Sequence, residues 1–386
     1  MGNAISNCCD KPPNIFSSVR KPEKQPAGPD PELSTCVDEL SKKKAVSLSD
    51  FVLEAKLGQG GYGAVFRATK ISNNKEYALK VVKKKLFKNA VRIKDALNEK
   101  NIMISTRHPF IVRLHYAFQD KRSIYYVMDY LKGGALSKYI KKQGHFSELV
   151  AKFYAAQVVL ALKYLHEEKK IVYRDLKPDN ILLDDFGYIK LSDFGLSTIG
   201  VERLTSICGT YEYIAPEILR GEEYTCMVDY FSLGCLLFEM IYGKSPFTSI
   251  VLRNTHSTII KNILAGRYEF HRGIVVSTEV KDLILKLLDR NPRARLGFNG
   301  AAEIQNHPFF DNVDWEALHH RQLEPPFEVQ IFTGHIEHFN RFTDAFNEKM
   351  TNWEITGFSY ESEGGSINGL KEHMLEGDKE VQSNAD

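Results

Sequence analysis

Tyr173-Arg174-Asp175-Leu176-Lys177-Pro178-Asp179-Asn180, followed after a short apolar run by Asp193-Phe194-Gly195, decides how this chain is read. Phosphoryl transfer from ATP needs a carboxylate that accepts the proton of the attacking hydroxyl. It also needs oxygen ligands that hold Mg²⁺ against the phosphates. Asp175 suits the first task, and Asn180 with Asp193 suits the second. Ile171-Val172, Ile181-Leu182-Leu183 and the run from Tyr188 to Leu191 flank the motifs. Both are therefore predicted on loops between short strands. Chance accounts well for either motif alone and poorly for the ordered pair.

Composition narrows the remaining classes. The 386 residues suffice for about two to three domain-sized units. A formal net charge of +2 gives no case for a nucleic-acid partner. The cysteines are Cys8-Cys9, Cys36, Cys208, Cys226 and Cys235, a scatter without metal-ligand spacing. No secretory signal is recognisable, so reduced thiols in the cytoplasm are expected. The most apolar stretch, Met227 to Tyr242, is shorter than the ~20 residues a bilayer requires. It also carries Asp229 and Glu239.

Residues 1–49 read as a disordered arm, because prolines 12, 13, 22, 26, 29 and 31 interrupt any helix. A folded block is expected from 50 to 310. It leads with strands (Phe51 to Leu57, Ala64 to Ala68, Tyr77 to Val82), a helix around Ile93 to Ser105, and further strands through Met128. After Gly133-Gly134 the pattern turns helical. Leu149, Phe153, Ala156, Leu160 and Tyr164 recur at three and four, which predicts one buried helix face. Met227 to Tyr242 is apolar nearly all round and reads as a central buried helix. A tail is expected over 311–360 and a disordered polar end over 361–386.

Gly58-Gln59-Gly60-Gly61-Tyr62-Gly63 is a G-x-G-x-x-G run. Dinucleotide-binding oxidoreductases share this spelling, but their glycines open a helix. Here Val65-Phe66 continue as a strand, so the glycines cap a hairpin that can lie close over phosphates, with Tyr62 at its tip. Lys80 follows in Ala78-Leu79-Lys80 and can reach those phosphates. It needs a carboxylate to hold it, and Glu99 on the next predicted helix is the candidate.

With Lys80, Glu99, Asp175, Asn180, Asp193 and Ala215-Pro216-Glu217 in order, the block resembles a eukaryotic protein kinase. It is most similar to the AGC group, which includes cAMP-dependent kinase and protein kinase B. Tyr173 in place of the common histidine, Ser206-Ile207-Cys208-Gly209-Thr210 and the continuing tail carry that likeness. The resemblance implies an α+β, bilobal fold with a small β-rich N-lobe and a larger helical C-lobe. It implies an ATP- and Mg²⁺-dependent serine/threonine kinase acting on protein substrates.

Residue by residue it implies a nucleotide cradle from Leu57 through Gly63. Val65, Ala78 and Leu182 would sandwich adenine. Asp129 to Leu131 would form the hinge, after gatekeeper Met128. Asn180 and Asp193 would hold the metal. Lys177 would contact the transferred phosphate, and Thr210 would brace Asp175 and Lys177. Met103, Leu114, Tyr173 and Phe194 would stack as an apolar spine. Asp229 would anchor the catalytic-loop backbone, and Glu217 would pair with Arg295. A scaffold without activity is the competing reading. Such scaffolds usually lack the lysine or one of the aspartates, and all are present here.

Regulation and specificity follow the same resemblance. Ser206 occupies the activation-segment phosphosite, where an upstream kinase would act and Arg174 would take the phosphate. Thr198 replaces a phosphate-binding lysine there, which weakens the pocket. Asp179 and Glu239 match acids that read arginine two residues before the target. Ala135 stands where basophilic relatives carry an acid, so selection at minus three is expected to be relaxed. Ile355-Thr356-Gly357-Phe358-Ser359-Tyr360 resembles the AGC hydrophobic motif. Phe358 would dock beside the Glu99 helix, and Ser359 would be a second phosphosite. Asn340, in Phe339-Asn340-Arg341-Phe342, replaces the usual aspartate of an active-site tether.

Met1-Gly2-Asn3-Ala4-Ile5-Ser6 fits N-myristoylation at Gly2. One such chain binds membranes only marginally. Cys8 and Cys9 offer a second acylation, and nearby Lys and Arg add attraction to anionic lipid. The expectation is a monomeric catalytic chain, cytoplasmic and peripherally membrane-associated, open to a separate regulatory partner.

Overall fold

The computed structural model describes residues 45–60, 63–200, 203–248, 255–271, 273–331 and 353–362. All but Ala45 belong to one compact unit, Val46–Asp386. Gly2, Cys8, Cys9, Gly61, Tyr62 and the Phe339–Phe342 segment lie outside the described residues.

The small lobe is an antiparallel meander of β1 (Phe51–Gly60), β2 (Gly63–Lys70) and β3 (Lys75–Lys83). Every second residue of β2 from Phe66 is buried, which turns one face onto Phe51, Tyr77, Tyr116 and Tyr125. Val46 and Leu48 pack on the same cluster, so the packed chain reaches further back than residue 50. Gly60 faces Gly63 across the hairpin. A Cβ on Gly63 would stand 2.1 Å from the Val81 carbonyl oxygen, so only glycine allows β2 to pass β3 there.

Helix α1 (Ala90–Ser105) starts ahead of Ile93 because the Asn89 side chain caps it, accepting from the Arg92 N–H at 3.1 Å. β4 (Leu114–Gln119) and β5 (Ser123–Asp129) complete the lobe in the order β1-β2-β3-β5-β4.

The larger lobe opens with β6 (Gly134–Ala135), α2 (Leu136–Gln143) and α3 (Glu148–Lys163). Short strands β7 (Ile171–Val172), β8 (Ile181–Leu183), β9 (Ile189–Leu191) and β10 (Thr198–Ile199) follow. Then come α4 (Pro216–Leu219), α5 (Met227–Tyr242), α6 (His256–Ala265), α7 (Thr278–Leu287), α8 (Ala301–Gln305) and α9 (Trp315–His319). Strand β11 (Tyr360–Glu361) adds to the small lobe along β4.

The expected face of α3 is corrected. Leu149 is 72% exposed, and Phe153 and Leu160 are only half-buried. The core takes Tyr154, Ala155, Val158, Val159 and Leu162 instead, alongside Ala156. Val150 to Leu162 is apolar at almost every position, so several stripes share the spacing and packing chooses among them.

In α5 every residue except Glu239 is buried. Its Asp229 is compensated: Oδ1 accepts the Arg174 N–H at 2.7 Å, and Oδ2 accepts Tyr173 N–H and His166 Nε2–H, both at 2.8 Å. Arg295 and Glu217 form a buried two-pronged pair at 2.7 and 3.0 Å. Among the described residues no helix is long and apolar enough to cross a membrane.

Candidate active site

Lys80 on β3 and Glu99 on α1 meet at 2.7 Å, and Lys80 also reaches Asp193 Oδ1 at 3.1 Å. Burial works against the Lys80 charge, yet the two carboxylates hold its pKa above the ordinary value. Lys80 in turn pulls the Asp193 pKa down, against burial. The strand and the helix are thereby tied together at the mouth of the cleft.

The loop that starts at Tyr173 is fixed from below by Asp229, which accepts the Tyr173 and Arg174 N–H. Arg174 and Asp193 both adopt left-handed backbone, with φ of 68° and 56°. Such conformations are strained for side-chain-bearing residues and cluster at functional sites. Asp175 Oδ2 accepts from Lys177 and from Asn180 Nδ2, both at 2.8 Å, and Oδ1 accepts from Thr210 at 2.9 Å. Lys177 also donates to the Thr210 hydroxyl at 2.7 Å. A cavity of about 330 Å³ brings Lys80, Glu99, Asp175, Lys177, Asp193 and Thr210 to one wall-to-wall space. Its lining does not include Val65, Ala78, Met128, Leu131 or Leu182.

Val65, Ala78, Met128 and Leu182 sit on strands around the cleft, and Leu131 lies on the link from β5 to β6. Ala78 is the register partner of Met128, and Leu182 pairs with Ala135. Ala78 and Leu131 are buried, while Leu57, Val65, Met128 and Leu182 are half-buried. Nothing described lies within 4 Å of a Cβ built on Gly58, which leaves open space beside the glycine turn for a ligand. Gly58 and Gln59 are exposed. Among the described residues no cluster of three His, Cys, Asp or Glu forms a closed metal cage. Asn180 and Asp193 instead offer hard oxygen donors. That fits Mg²⁺, which takes few side-chain ligands and draws the rest from phosphate and water.

Met103, Leu114, Tyr173 and Phe194 are all buried, and Tyr173 meets Phe194 edge-on with ring centroids 5.3 Å apart. Ser206 is exposed, and its hydroxyl accepts from Arg174 Nη1 at 2.6 Å. Tyr224, absent from the sequence reading, completes this corner. Its hydroxyl donates to the Ser206 carbonyl at 2.8 Å and lies 3.1 Å from Arg174 Nη1. A lone tyrosine far along the chain carries no local signal. Asp179 is exposed and accepts from Ser137 at 2.7 Å. Glu239 accepts from the Tyr213 hydroxyl. Burial raises the Glu239 pKa, and Asp179 adds to the rise. Ala135 is the N-cap of α2 and supplies no side-chain acceptor.

The tail segment 353–362 packs on the small lobe. Phe358 is fully buried, with its ring edge-on to Tyr126 at 5.3 Å. Gln119 exchanges two hydrogen bonds with the main chain of Ile355, at 2.8 and 2.9 Å. Lys84 donates to the Trp353 carbonyl at 2.7 Å, and Lys100 donates to the Gly357 carbonyl. Ser359 is exposed. Lys84, Lys100 and Gln119 were missed because their partners are main-chain atoms more than 230 residues away.

Comparison with known proteins matches residues 51–310 to the protein kinase domain model. "Protein kinase 2" of Dictyostelium discoideum is 42% identical over 294 residues, covering 76% of this chain and 60% of that protein. "Serine/threonine-protein kinase SCH9" of Saccharomyces cerevisiae is 43% identical, covering 75% and 35%. "Serine/threonine-protein kinase sgk-1" of Caenorhabditis elegans is 39% identical, covering 75% and 62%. The chain thus spans between about a third and three-fifths of these relatives' length.

Proposed function

The chain belongs to the protein kinase domain family, and from that premise we propose that it is an active AGC-type serine/threonine kinase using Mg-ATP. One observation carries the reading: Lys80, Glu99, Asp193, Asp175, Lys177 and Thr210 line a single cavity with Lys80 and Glu99 already paired. Bound at Asn180 and Asp193, Mg²⁺ supplies positive charge against the phosphates. Lys80 steadies the phosphate oxygens, and Glu99 holds Lys80 in place. Asp175 takes the proton of the substrate serine or threonine hydroxyl. Lys177 neutralises charge building on the transferred group, and Thr210 holds both side chains. Scaffolds without activity usually lack Lys80, Asp175 or Asp193 at these positions, and the presence of all three favours activity.

Asp179 and Glu239 suit a substrate arginine at minus two, since Glu239 lies partly buried with a second acid beside it. Ala135 offers no carboxylate for minus three. Phosphorylation of Ser206 by an upstream kinase would give Arg174 a dianionic partner and tighten a contact it already makes. Ser359 is exposed and open to the same chemistry. Acylation at Gly2 with Cys8 or Cys9 would bring the kinase to membranes, and fractionation of Gly2→Ala tests that. For the activity, purified chain is assayed on a serine peptide library with ATP and Mg²⁺. Wild type should transfer phosphate, Asp193→Ala should not, and arginine at minus two should be enriched. Equal turnover by wild type and Asp193→Ala sinks the reading.

A further inference from the structure

Behind the segment from Asp129 to Leu131 lies a polar cluster that phosphoryl transfer leaves unused. Asp129 ends β5, and its carboxylate is fully engaged. Oδ1 accepts His115 Nε2–H at 2.8 Å. Oδ2 accepts Lys190 Nζ at 2.7 Å and the Arg113 N–H at 3.1 Å. The Arg113 carbonyl accepts the Asp129 N–H in return, also at 3.1 Å. The side chains of His115 and Lys190 are only 7% and 17% exposed. Burial alone would raise the Asp129 pKa, yet its hydrogen bond from His115 and the Lys190 charge hold it well below the usual range.

The partners come from separate elements. His115 is on β4 and Lys190 on β9. Tyr77 on β3 stands edge-on to the His115 ring at 5.2 Å and faces Asp129 in register. Tyr77 directly precedes Ala78, and Lys190 is the register partner of Leu182. The cluster therefore touches the immediate neighbours of Ala78 and Leu182, two of the three residues that would sandwich adenine, and the first residue of the hinge itself.

We propose that His115 and Lys190 are positioning residues for adenine, acting through Asp129 to fix the spacing between β3, the hinge and β8. This rests on the kinase reading, in which the hinge takes the base. The two donors sit on different lobes, so their joint hold on one carboxylate adds a side-chain link to the main-chain bonds that join Phe110 and Val112 to Leu191, at 2.9 Å each. The docked tail braces the same strand. The His115 carbonyl accepts the Ser362 N–H at 2.8 Å, just past the pairing of β11 with Tyr116 and Ala117. Losing one donor leaves a mostly buried carboxylate underpaired, and the hinge shifts to find water.

The test uses the full chain with Lys190→Met, His115→Leu, the conservative Lys190→Arg and His115→Gln, and a control, Lys286→Met, in an exposed pair. KM for ATP, KM for peptide, kcat, inhibition by adenosine and nucleotide-free melting are measured for each. KM for ATP and the adenosine inhibition constant should rise about fivefold in Lys190→Met and His115→Leu. Peptide KM and kcat should stay within about twofold, with Lys190→Arg near wild type. Unchanged KM for ATP in folded variants overturns the proposal. So does a uniform loss of kcat, both KM values and melting temperature, which marks a merely structural cluster. If the Met and Leu variants do not fold, His115→Gln decides: an ATP-only rise of about twofold supports the proposal, and none overturns it. A wild type that binds no ATP fails the kinase reading instead.

Discussion

Asp175 shows how the site is built at the scale of one residue. It accepts side-chain bonds from Lys177, Asn180 and Thr210 before any substrate arrives. In the proposed role of base, a carboxylate so held needs no reorganisation to receive a hydroxyl proton. Asp175→Asn should therefore lower kcat by about 10²- to 10⁴-fold while KM for ATP stays near wild type, as steady-state kinetics would read. Glu239 gives a pH prediction. Burial lifts its folded pKa above the ordinary glutamate value near 4.3. The folded chain then keeps a proton the unfolded chain has lost. Its stabilising share is full below the unfolded pKa and is lost as pH rises through the raised one. Reading an arginine needs the ionised form. Peptide KM should thus climb on acidification from a higher pH than an ordinary glutamate would give, and Glu239→Gln should flatten that limb.

Elements carry the next two predictions. Helix α2 begins at Ala135 without a side-chain cap. Ala135→Asp should stabilise the fold by about 1 kcal/mol, read by thermal melting. It should also sharpen arginine selection at minus three on a peptide array. The tail segment 353–362 depends on Phe358, which is fully buried against Tyr126. Phe358→Ala should weaken its docking by about 3 kcal/mol. Limited proteolysis should then cut the segment faster, with kcat reduced because α1 loses a brace next to Glu99.

What the sequence made legible also follows element by element. The strands around Asn180 and Asp193 were readable because apolar runs and polar loops alternate over a few residues. The face of α3 was not, because an all-apolar run leaves the choice to tertiary packing. Lys80 with Glu99 was readable through motif order. His115 with Lys190, and Arg174 with Tyr224, were not, since each joins segments whose local patterns say nothing of one another.

Across the whole molecule, Glu217 and Arg295 tie α4 to the chain beyond α7. Arg295 spends two further donors on the carbonyls of Asp289 and Met227, at 2.9 and 2.8 Å. Arg295→Met leaves Glu217 charged, buried and alone. Denaturant melts should show a loss of about 3–5 kcal/mol. The two lysines at the tail site have a different reach. Lys84 and Lys100 grip carbonyls and so follow the course of a backbone, while Lys84 also stands over the Trp353 ring at 5.1 Å. A separate peptide that follows that course and offers aromatic rings in place of Trp353 and Phe358 should compete for the groove. The fold would thereby offer a handle for inhibitors that owe nothing to nucleotide mimicry.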